Sequence, residues 1–491
     1  MPVWTEAEPL GLENDVEHHG GTTLAGRRRH SLPHAGRAGL SSAHRPFGCE
    51  PFRGEAMDIK GKRLRLLFSD LLGVERGKYL FGDVADEGRA AFCIGLYPLT
   101  TDKEILDIPG LQFDIGLPDV DAFVDRDTLR PGWEEDTVVG IADVHRQGKP
   151  LDVDPRHVLR KAVEPWHAMG LEPLFAFESE FYLLEPDEQG GWRSVSLPSH
   201  RVYGTGMSVD PTGTIDDMVR AAMGSGFPIE SWGSEYDTAA YEVNIRYKEV
   251  MPAADECFLF RLLVKEIAAR HGQLATFMGR PFNDRGGSGL HLNFSFRRED
   301  GSNAFHDPNA PDGLSQLARR CIAGALAHHE GISALMAPHV NAYRRLQPDM
   351  LNGYWANWGF DDRTVCVRVP PARGEGSRLE HRMADGAANP YLAAAALLHA
   401  ARLGVEQELE PPPAQVPGEA PNTERRVPPS LEAALEAFEA DEELCAALGS
   451  RVVDAFVRLK RAEWQRYVKA VEDPSTGDVT PWELEYYLPF F

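Results

Sequence analysis

Four segments of this 491-residue chain alternate in the same unusual way. FAFESEFYLL (175–184), AAYEVNIRY (239–247), GLHLNFSF (289–296) and SRLEHRM (377–383) each interleave apolar residues with Glu, His, Asn, Ser or Arg. A β-strand sends alternate side chains to opposite faces, so each segment has one apolar face and one face able to do chemistry. Glu178 and Glu180 share such a face, with Cα atoms roughly 6.5–7 Å apart, where two like charges repel by about 2 kcal/mol at an effective dielectric near 20. A solvated outer face explains one such strand. Four strands, rich in Glu, His, Asn and Arg and poor in Lys, point instead to convergence on a single polar cavity.

The rest of the chain sets limits on that cavity's partners. A formal charge of −24 and the lack of a Lys/Arg-rich body segment argue against nucleic acid. Six cysteines are scattered without CxxC spacing, so neither a zinc knuckle nor a disulfide framework is expected, and free thiols fit a cytoplasmic protein. The longest apolar run, YLAAAALLHAARLGV, is interrupted by His399 and Arg402 and is too short to span a bilayer, so no membrane partner is expected.

Residues 1–56, rich in Gly, His, Arg and Ser, read as a disordered extension with Met57 as a candidate start; a functional arm is the alternative. Short strand signals punctuated by Gly, Pro and Asp run through residues 57–150, a small β-rich domain. Asp154-Pro155 is an N-cap followed by proline at the first helical position, and a larger α+β domain, residues 151–491, is expected from there. Within it ELEPPPAQVPGEAPN reads as a linker before two amphipathic helices, SLEAALEAFEADEELCAAL and SRVVDAFVRLKRAEWQRYVKAV.

A cavity lined by Glu178, Glu180, Glu235, Glu242, Glu380 and His291 is dominated by hard oxygen donors, which suits Mg²⁺ or Mn²⁺ better than zinc. Arg363, Arg368, Arg378 and Arg382 suit phosphates and carboxylates through paired hydrogen bonds. Together these are the apparatus of phosphoryl transfer. No GxxxxGK[ST] loop occurs, and GGSG at 286–289 is a weak signal whose plain reading is a turn before a strand. Any nucleotide is therefore held mainly by metals, arginines and stacking side chains.

These motifs, in this order and spacing, resemble the glutamine synthetase family from about Asp58 to Phe491. FESEFYLL, SEYDTAAYEVN, NDRGGSGLHLNFS, NAYRRL, DDRTVCVRVP, SRLEHRMADGAANPYLAAAALL and VTPWELEYYL carry the resemblance. It implies an α+β fold: a small N-terminal β-grasp domain followed by a catalytic domain with a curved antiparallel sheet surrounded by helices. It also implies ATP as co-substrate, two or more Mg²⁺ or Mn²⁺ ions per site, L-glutamate and a small nitrogen nucleophile as substrates, and a ring-based homo-oligomer, a dodecamer, with sites shared between subunits.

Carried over by position, the resemblance places one metal on Glu180, Glu235 and Glu242 and the other on Glu178, His291 and Glu380. Arg345, Arg382 and the backbone of Gly287 would hold glutamate. Arg363, Arg368 and Arg378 would face phosphates, and Glu230, Tyr247 and Ser295 the nucleotide. Asp70, Tyr203 and Glu235 match the ammonium pocket, with Asp70, Glu235, Arg363 and Arg382 as catalytic residues.

The departure that bears on the nitrogen acceptor is at the flap. Six residues after the glutamate-binding arginine, ammonia-using members carry a flap glutamate; here the position is Leu351, with Asp349 a nearby substitute. Asn293, Gly286 and Glu375 also replace usual residues. Desolvating ammonium beside leucine is costly, so the expected activity is that of the γ-glutamyl-amide ligase branch: glutamate joined to an organic amine through γ-glutamyl phosphate. Glutamine synthetase with a rearranged flap, and a catalytically silent family member, are the alternatives.

Overall fold

Apolar runs and turn residues between Arg63 and Pro150 form a seven-stranded mixed sheet: β1 (Arg63–Ser69), β2 (Glu75–Leu80), β3 (Arg89–Cys93), β4 (Asp119–Val124), β5 (Arg130–Pro131), β6 (Thr137–Arg146) and β7 (Lys149–Pro150). The computed structural model describes residues 59–348 and 350–491; the expected disordered extension, residues 1–56, and Asp349 lie outside them. The strand order is β2-β1-β6-β4-β3, with β5 and β7 also on β6. β1 and β6 run parallel in the centre, buried through Leu64, Leu66, Leu67 and Val138, Val139, Ile141. Short helix α1 (Asp83–Glu87) lies between β2 and β3.

Helix α2 (Pro155–Ala168) begins where the Asp-Pro pair predicts, with the Asp154 carboxylate accepting the His157 N–H at 3.0 Å. Its buried Arg156 ties the small sheet to the rest of the chain, pairing with Asp125 and Asp143 on one side and with Asp255 on the other, at 2.5–2.9 Å.

The larger sheet has ten strands: β8 (Leu171–Pro186), β9 (Trp192–Ser194), β10 (Ile229–Ser234), β11 (Ala240–Ile245), β12 (Lys248–Glu249), β13 (Leu274–Thr276), β14 (Leu290–Arg298), β15 (Trp358–Phe360), β16 (Val367–Val369) and β17 (Leu379–His381). Its order is β10-β11-β8-β14-β17-β16-β15, and β9, β12 and β13 pair with the long central β8. An antiparallel sheet is expected; one edge departs from it, since β15 and β16 pair in parallel. The loop between them, with Asp361 at φ 47°, returns the chain in the same direction.

Helices α3 (Thr214–Gly224), α4 (Val250–Arg270), α5 (Gln316–Ala327), α6 (His329–Met336), α7 (Ala342–Arg345) and α8 (Pro390–Glu406) surround the sheet. The alanine-rich α8 packs on α5, α2 and α6, while α4 and α2 cover β8. α5 and α8 cross closely: a Cβ on Gly324 would stand 2.2 Å from the Ala400 carbonyl oxygen. After the proline-rich connection come α9 (Leu431–Ala440), α10 (Glu442–Leu448), α11 (Ser450–Ala470) and α12 (Pro481–Tyr487). The helix expected through SLEAALEAFEADEELCAAL is two helices, because Asp441 turns its carboxylate onto the Leu444 N–H and caps a new one. No helix among the described residues is long and apolar enough to cross a membrane.

Candidate active site

The four alternating segments become β8, β11, β14 and β17, side by side in the larger sheet. Their register aligns the polar positions: Glu242 faces Glu180, Asn244 and His291 flank Glu178, and Asn293 and Arg368 flank Glu380. This polar face is buried on β14 and β17 and half-buried at Glu178, Glu180 and Glu242. His291 is 5% exposed, Glu380 1% and Arg382 5%, which overturns the solvated-face reading. Apolar partners on the opposite face, including Phe175, Phe177, Phe181, Leu292 and Phe294, belong to the core and fix the direction of the acidic face.

His291 is the centre of the cluster. Its Nδ1 lies 3.2 Å from Glu178 Oε2 and 3.7 Å from Glu380 Oε1, and its Nε2 lies 3.7 Å from Glu180 Oε1. Donor atoms of Glu178, His291 and Glu380, and separately of Glu180, Glu242 and His291, converge within 4.8 Å. The first group is the set the resemblance implies. The second departs from it, with His291 standing where Glu235 is expected.

The charges are arranged unevenly. Burial raises the Glu242 carboxyl to about 7, helped by Glu178 and Glu180; burial likewise raises Glu235 to about 7, helped by Glu180 and Glu242. Burial opposes ionisation of Glu380 too, but His291, Arg382 and Arg368 outweigh it and hold this carboxyl down at about 2. Asparagines partner the remaining oxygens, Asn293 Nδ2 donating to Glu178 at 2.8 Å and Asn244 Nδ2 to Glu242 at 2.7 Å. Carboxylates that repel one another upward in pKa, gathered round a single imidazole, fit a divalent cation that prefers oxygen, Mg²⁺ or Mn²⁺.

Arginines close one side. Arg382 bonds both Glu380 and the carbonyl of Leu351, the latter at 3.1 Å, and Arg368 bridges Glu380 at 2.6 Å and Asp361 at 2.5 Å. The buried Arg345 donates to the Met383 carbonyl at 3.0 Å and the Arg382 carbonyl at 3.3 Å. Its side chain runs across the glycine loop: a Cβ on Gly287 would lie 2.8 Å from Arg345 Cγ, and one on Gly289 2.5 Å from Arg345 Nη2. The GGSG segment is therefore a close-approach loop rather than only a turn, and the Gly289 N–H donates to Glu180 at 2.6 Å.

Other expected residues lie further out. Leu351 is 61% exposed, on the loop whose carbonyl Arg382 holds; Asp349 is outside the described residues. Arg363 is exposed between β15 and β16, and Arg378 donates to Asn293 Oδ1 at 3.0 Å. Ser295 lies two residues beyond Asn293 on β14, buried. Glu230 pairs with Arg246 at 2.9 Å at the β10 edge, and Tyr247 is exposed nearby. Tyr203, 75% exposed at φ 57°, donates its N–H to the Ser234 carbonyl, next to Glu235. Asp70 is buried in the β1–β2 turn, where Arg76 at 2.7 Å and the N–H groups of Leu72 and Val74 occupy its carboxylate. Its bonds within the chain are those of a turn, and none reaches the acidic cluster.

Sequence reasoning passed over Asp385 and Asp361. Burial raises the Asp385 carboxyl to about 6 while Arg345 pulls the other way. The signal for Asp385 was its place three residues after Arg382; Asp361 is the first residue of the DDR motif, and its pairing with Arg368 has no local signal.

A curled sheet carrying a histidine-centred acidic cradle, ringed by arginines and a glycine loop, defines a ligase of the glutamine synthetase type. Residues 152–487 match the model of the glutamine synthetase catalytic domain, and the chain belongs to the glutamine synthetase family. It is 34% identical over 462 residues to the glutamine synthetase of Thermus thermophilus, covering 87% of this chain and 96% of that one. It is also 32% identical over 448 residues to a glutamate–isopropylamine ligase of a Pseudomonas species, covering 87% and 94%. Among solved structures, GmaS in complex with ADP superposes with a TM-score of 0.73 at 29% identity, covering 87% of this chain and 97% of that one.

Proposed function

We propose that this chain is an ATP-dependent ligase joining the γ-carboxylate of L-glutamate to an organic amine, through γ-glutamyl phosphate, with release of ADP and phosphate. The observation that carries the reading is the contrast between the two ends of the site: an acidic cradle and arginine set in register, against an uncharged, exposed Leu351 on the loop that Arg382 holds. The relatives named for glutamate–isopropylamine ligation and for an ADP complex support the amine and the nucleotide.

Glu178, Glu380 and one nitrogen of His291 would hold one divalent ion, and Glu180 and Glu242 the other. When bound, such ions neutralise the phosphates of ATP and the charge on the transferring phosphoryl group. Arg345 and Arg382, beside the backbone of Gly287, orient the glutamate carboxylates. Arg363, Arg368 and Arg378 face the phosphate oxygens, with Glu230, Tyr247 and Ser295 on the nucleotide side. Glu235 stands outside both groups of converging donor atoms, and in this reading it is the carboxylate that takes a proton from the amine. Tyr203 lies on its side of the site. In a ring-shaped homo-oligomer, a dodecamer, the β1–β2 turn that the Asp70 carboxylate organises would meet a neighbouring subunit's amine site, where Asp70 could act only by releasing Arg76, and the exposed Tyr79, Phe81 and Phe113 of the small sheet's region supply apolar surface for such packing. Size-exclusion chromatography with light scattering tests the assembly.

The test of the reaction is phosphate release with ATP and glutamate across ammonia, methylamine, isopropylamine, ethanolamine, putrescine and aniline. An alkyl or aryl amine is expected to give the highest kcat/KM. Ammonia as clearly the best acceptor overturns the reading in favour of glutamine synthetase with a rearranged flap, which the Thermus relative supports.

A further inference from the structure

Behind the glutamate side of the site, the C-terminal helix reaches in with one carboxylate. Glu483, on α12, is 0% exposed. Its Oε1 accepts from Arg344 Nε and Nη2 at 3.3 and 3.2 Å, and from the Thr480 N–H and hydroxyl at 3.2 and 3.1 Å. Its Oε2 accepts from Asn341 Nδ2 at 2.7 Å. A buried carboxylate with this many donors is held rigidly and in turn holds them.

Two of the three residues it grips, Arg344 and Asn341, lead to the two walls of the glutamate subsite. Arg344 immediately precedes Arg345 on α7, so anchoring Arg344 at the back fixes the backbone from which Arg345 extends over Gly287 and Gly289 at the front. Asn341 bonds Arg280 through both backbone groups, accepting the N–H at 2.7 Å and donating to the carbonyl at 2.9 Å. Arg280 spreads its guanidinium over the carbonyls of Phe282, Asn283 and Arg285 at 2.7–3.2 Å, and over that of Arg344 at 3.1 Å. Residues 280–285 are the run-in to the glycine loop. A further attachment returns to the same helix start, where Asn283 Oδ1 accepts the Val479 N–H at 2.6 Å, while Arg285 Nη1 donates to the Thr238 carbonyl at 3.0 Å.

We infer that Glu483 is a positioning residue for L-glutamate recognition: through Arg344 and through Asn341–Arg280 it sets the spacing between the Arg345 guanidinium and the Gly286–Gly289 loop. This inference rests on the glutamate-binding reading above and extends it to a side chain that touches no substrate. A shift of a fraction of an ångström between those walls weakens glutamate binding while leaving the nucleotide side, built on β10, β14, β16 and β17, in place.

The experiment compares Glu483→Gln, Arg344→Lys and the double variant Glu483→Gln/Arg344→Met, each purified as the full chain. Readouts are KM for glutamate and for ATP in phosphate release, L-glutamate affinity by calorimetry, and melting temperature. Glu483→Gln is expected to raise KM and Kd for glutamate by about tenfold with KM for ATP within about twofold. Arg344→Lys, which keeps the charge but loses the fork, gives the same selective change in milder form. The double variant removes both buried charges and is expected to recover melting temperature but not glutamate affinity. Unchanged glutamate affinity in Glu483→Gln or Arg344→Lys, a parallel rise in both KM values, or recovery of glutamate affinity together with melting temperature in the double variant overturns the inference. Failure of the unsubstituted protein to bind glutamate or to release phosphate in its presence overturns the functional reading itself, and is recognised before any variant is compared.

Discussion

His291 and Glu178 are register partners on adjacent antiparallel strands, and their side chains meet at 3.2 Å between Nδ1 and Oε2. The other ring nitrogen of His291 points toward Glu180, 3.7 Å away. One imidazole therefore stands between the two carboxylates of the Glu-x-Glu strand and belongs to both candidate metal groups.

Removing one carboxylate charge from either group should remove its cation. Glu178→Gln and Glu180→Gln are each expected to lower phosphate release by about 10²-fold and to reduce the Mn²⁺ stoichiometry measured by calorimetry from two to one. Full activity in either variant contradicts the two-ion assignment.

Glu235 tests where the geometry and the family pattern part. Since its carboxylate is outside the converging donor atoms, Glu235→Gln should leave Mn²⁺ affinity within about tenfold and slow amine transfer. Measurement of γ-glutamyl phosphate trapped by hydroxylamine against amide product separates the two steps. Loss of a metal ion in this variant restores Glu235 as a ligand.

Acceptor choice should respond to position 351. Leu351→Glu places a carboxylate on an exposed loop that tolerates it and favours a small, fully hydrated cation over an alkylamine. The ratio of kcat/KM for ammonia to that for the preferred amine is expected to rise about tenfold. An unchanged ratio shows that other residues select the acceptor.

The glycine loop leaves no room for a side chain. Gly287→Ala would bring a Cβ to 2.2 Å from the Gly279 carbonyl oxygen as well as against Arg345. Glutamate affinity should fall by more than about tenfold, read as KM for glutamate against a steady KM for ATP.

Acid stability should be set by histidines buried without charge. Burial depresses His399 on α8 from 6.5 to about 3, and neither ring nitrogen has a hydrogen-bond partner among the described residues. His329 and His339 fall to about 4 and His381 to about 3 by the same cause. With folded values below the unfolded one, their stabilising contribution is present above pH 6.5 and is lost as pH falls toward 4 and 3. His399 alone accounts for about 2 kcal/mol of loss by pH 5. His399→Leu should lessen the drop in denaturant midpoint between pH 7.5 and pH 5; an identical drop would falsify this account.

Much of the site was legible because its chemistry follows a period of two. Glu178 and Glu180, Glu242 and Asn244, and His291, Asn293 and Ser295 could each be placed on one strand face from sequence alone, and the Asp154-Pro155 start of α2 could be read from its cap. Asp441 was read as part of a continuous helix, since a side-chain cap competes with helix continuation only when the following turn is free to form. Arg368 could be read from its motif as a phosphate-facing arginine, but its pairing with Glu380 and Asp361 is a tertiary contact that no local pattern shows.

The sequence by itself determined which side chains share a face of their own strand, because alternation is a local property of extended backbone. Only the tertiary structure decided that those faces meet, since strands as far apart in the chain as β8 and β17 become next-but-one neighbours through β14, and that pairing is governed by burial of the opposite, apolar faces. The same packing placed His291 between two carboxylates, left Glu235 outside their grip, and set Glu483 behind Arg345. These are relations between residues roughly 50 to 140 positions apart along the chain, and no local pattern encodes them.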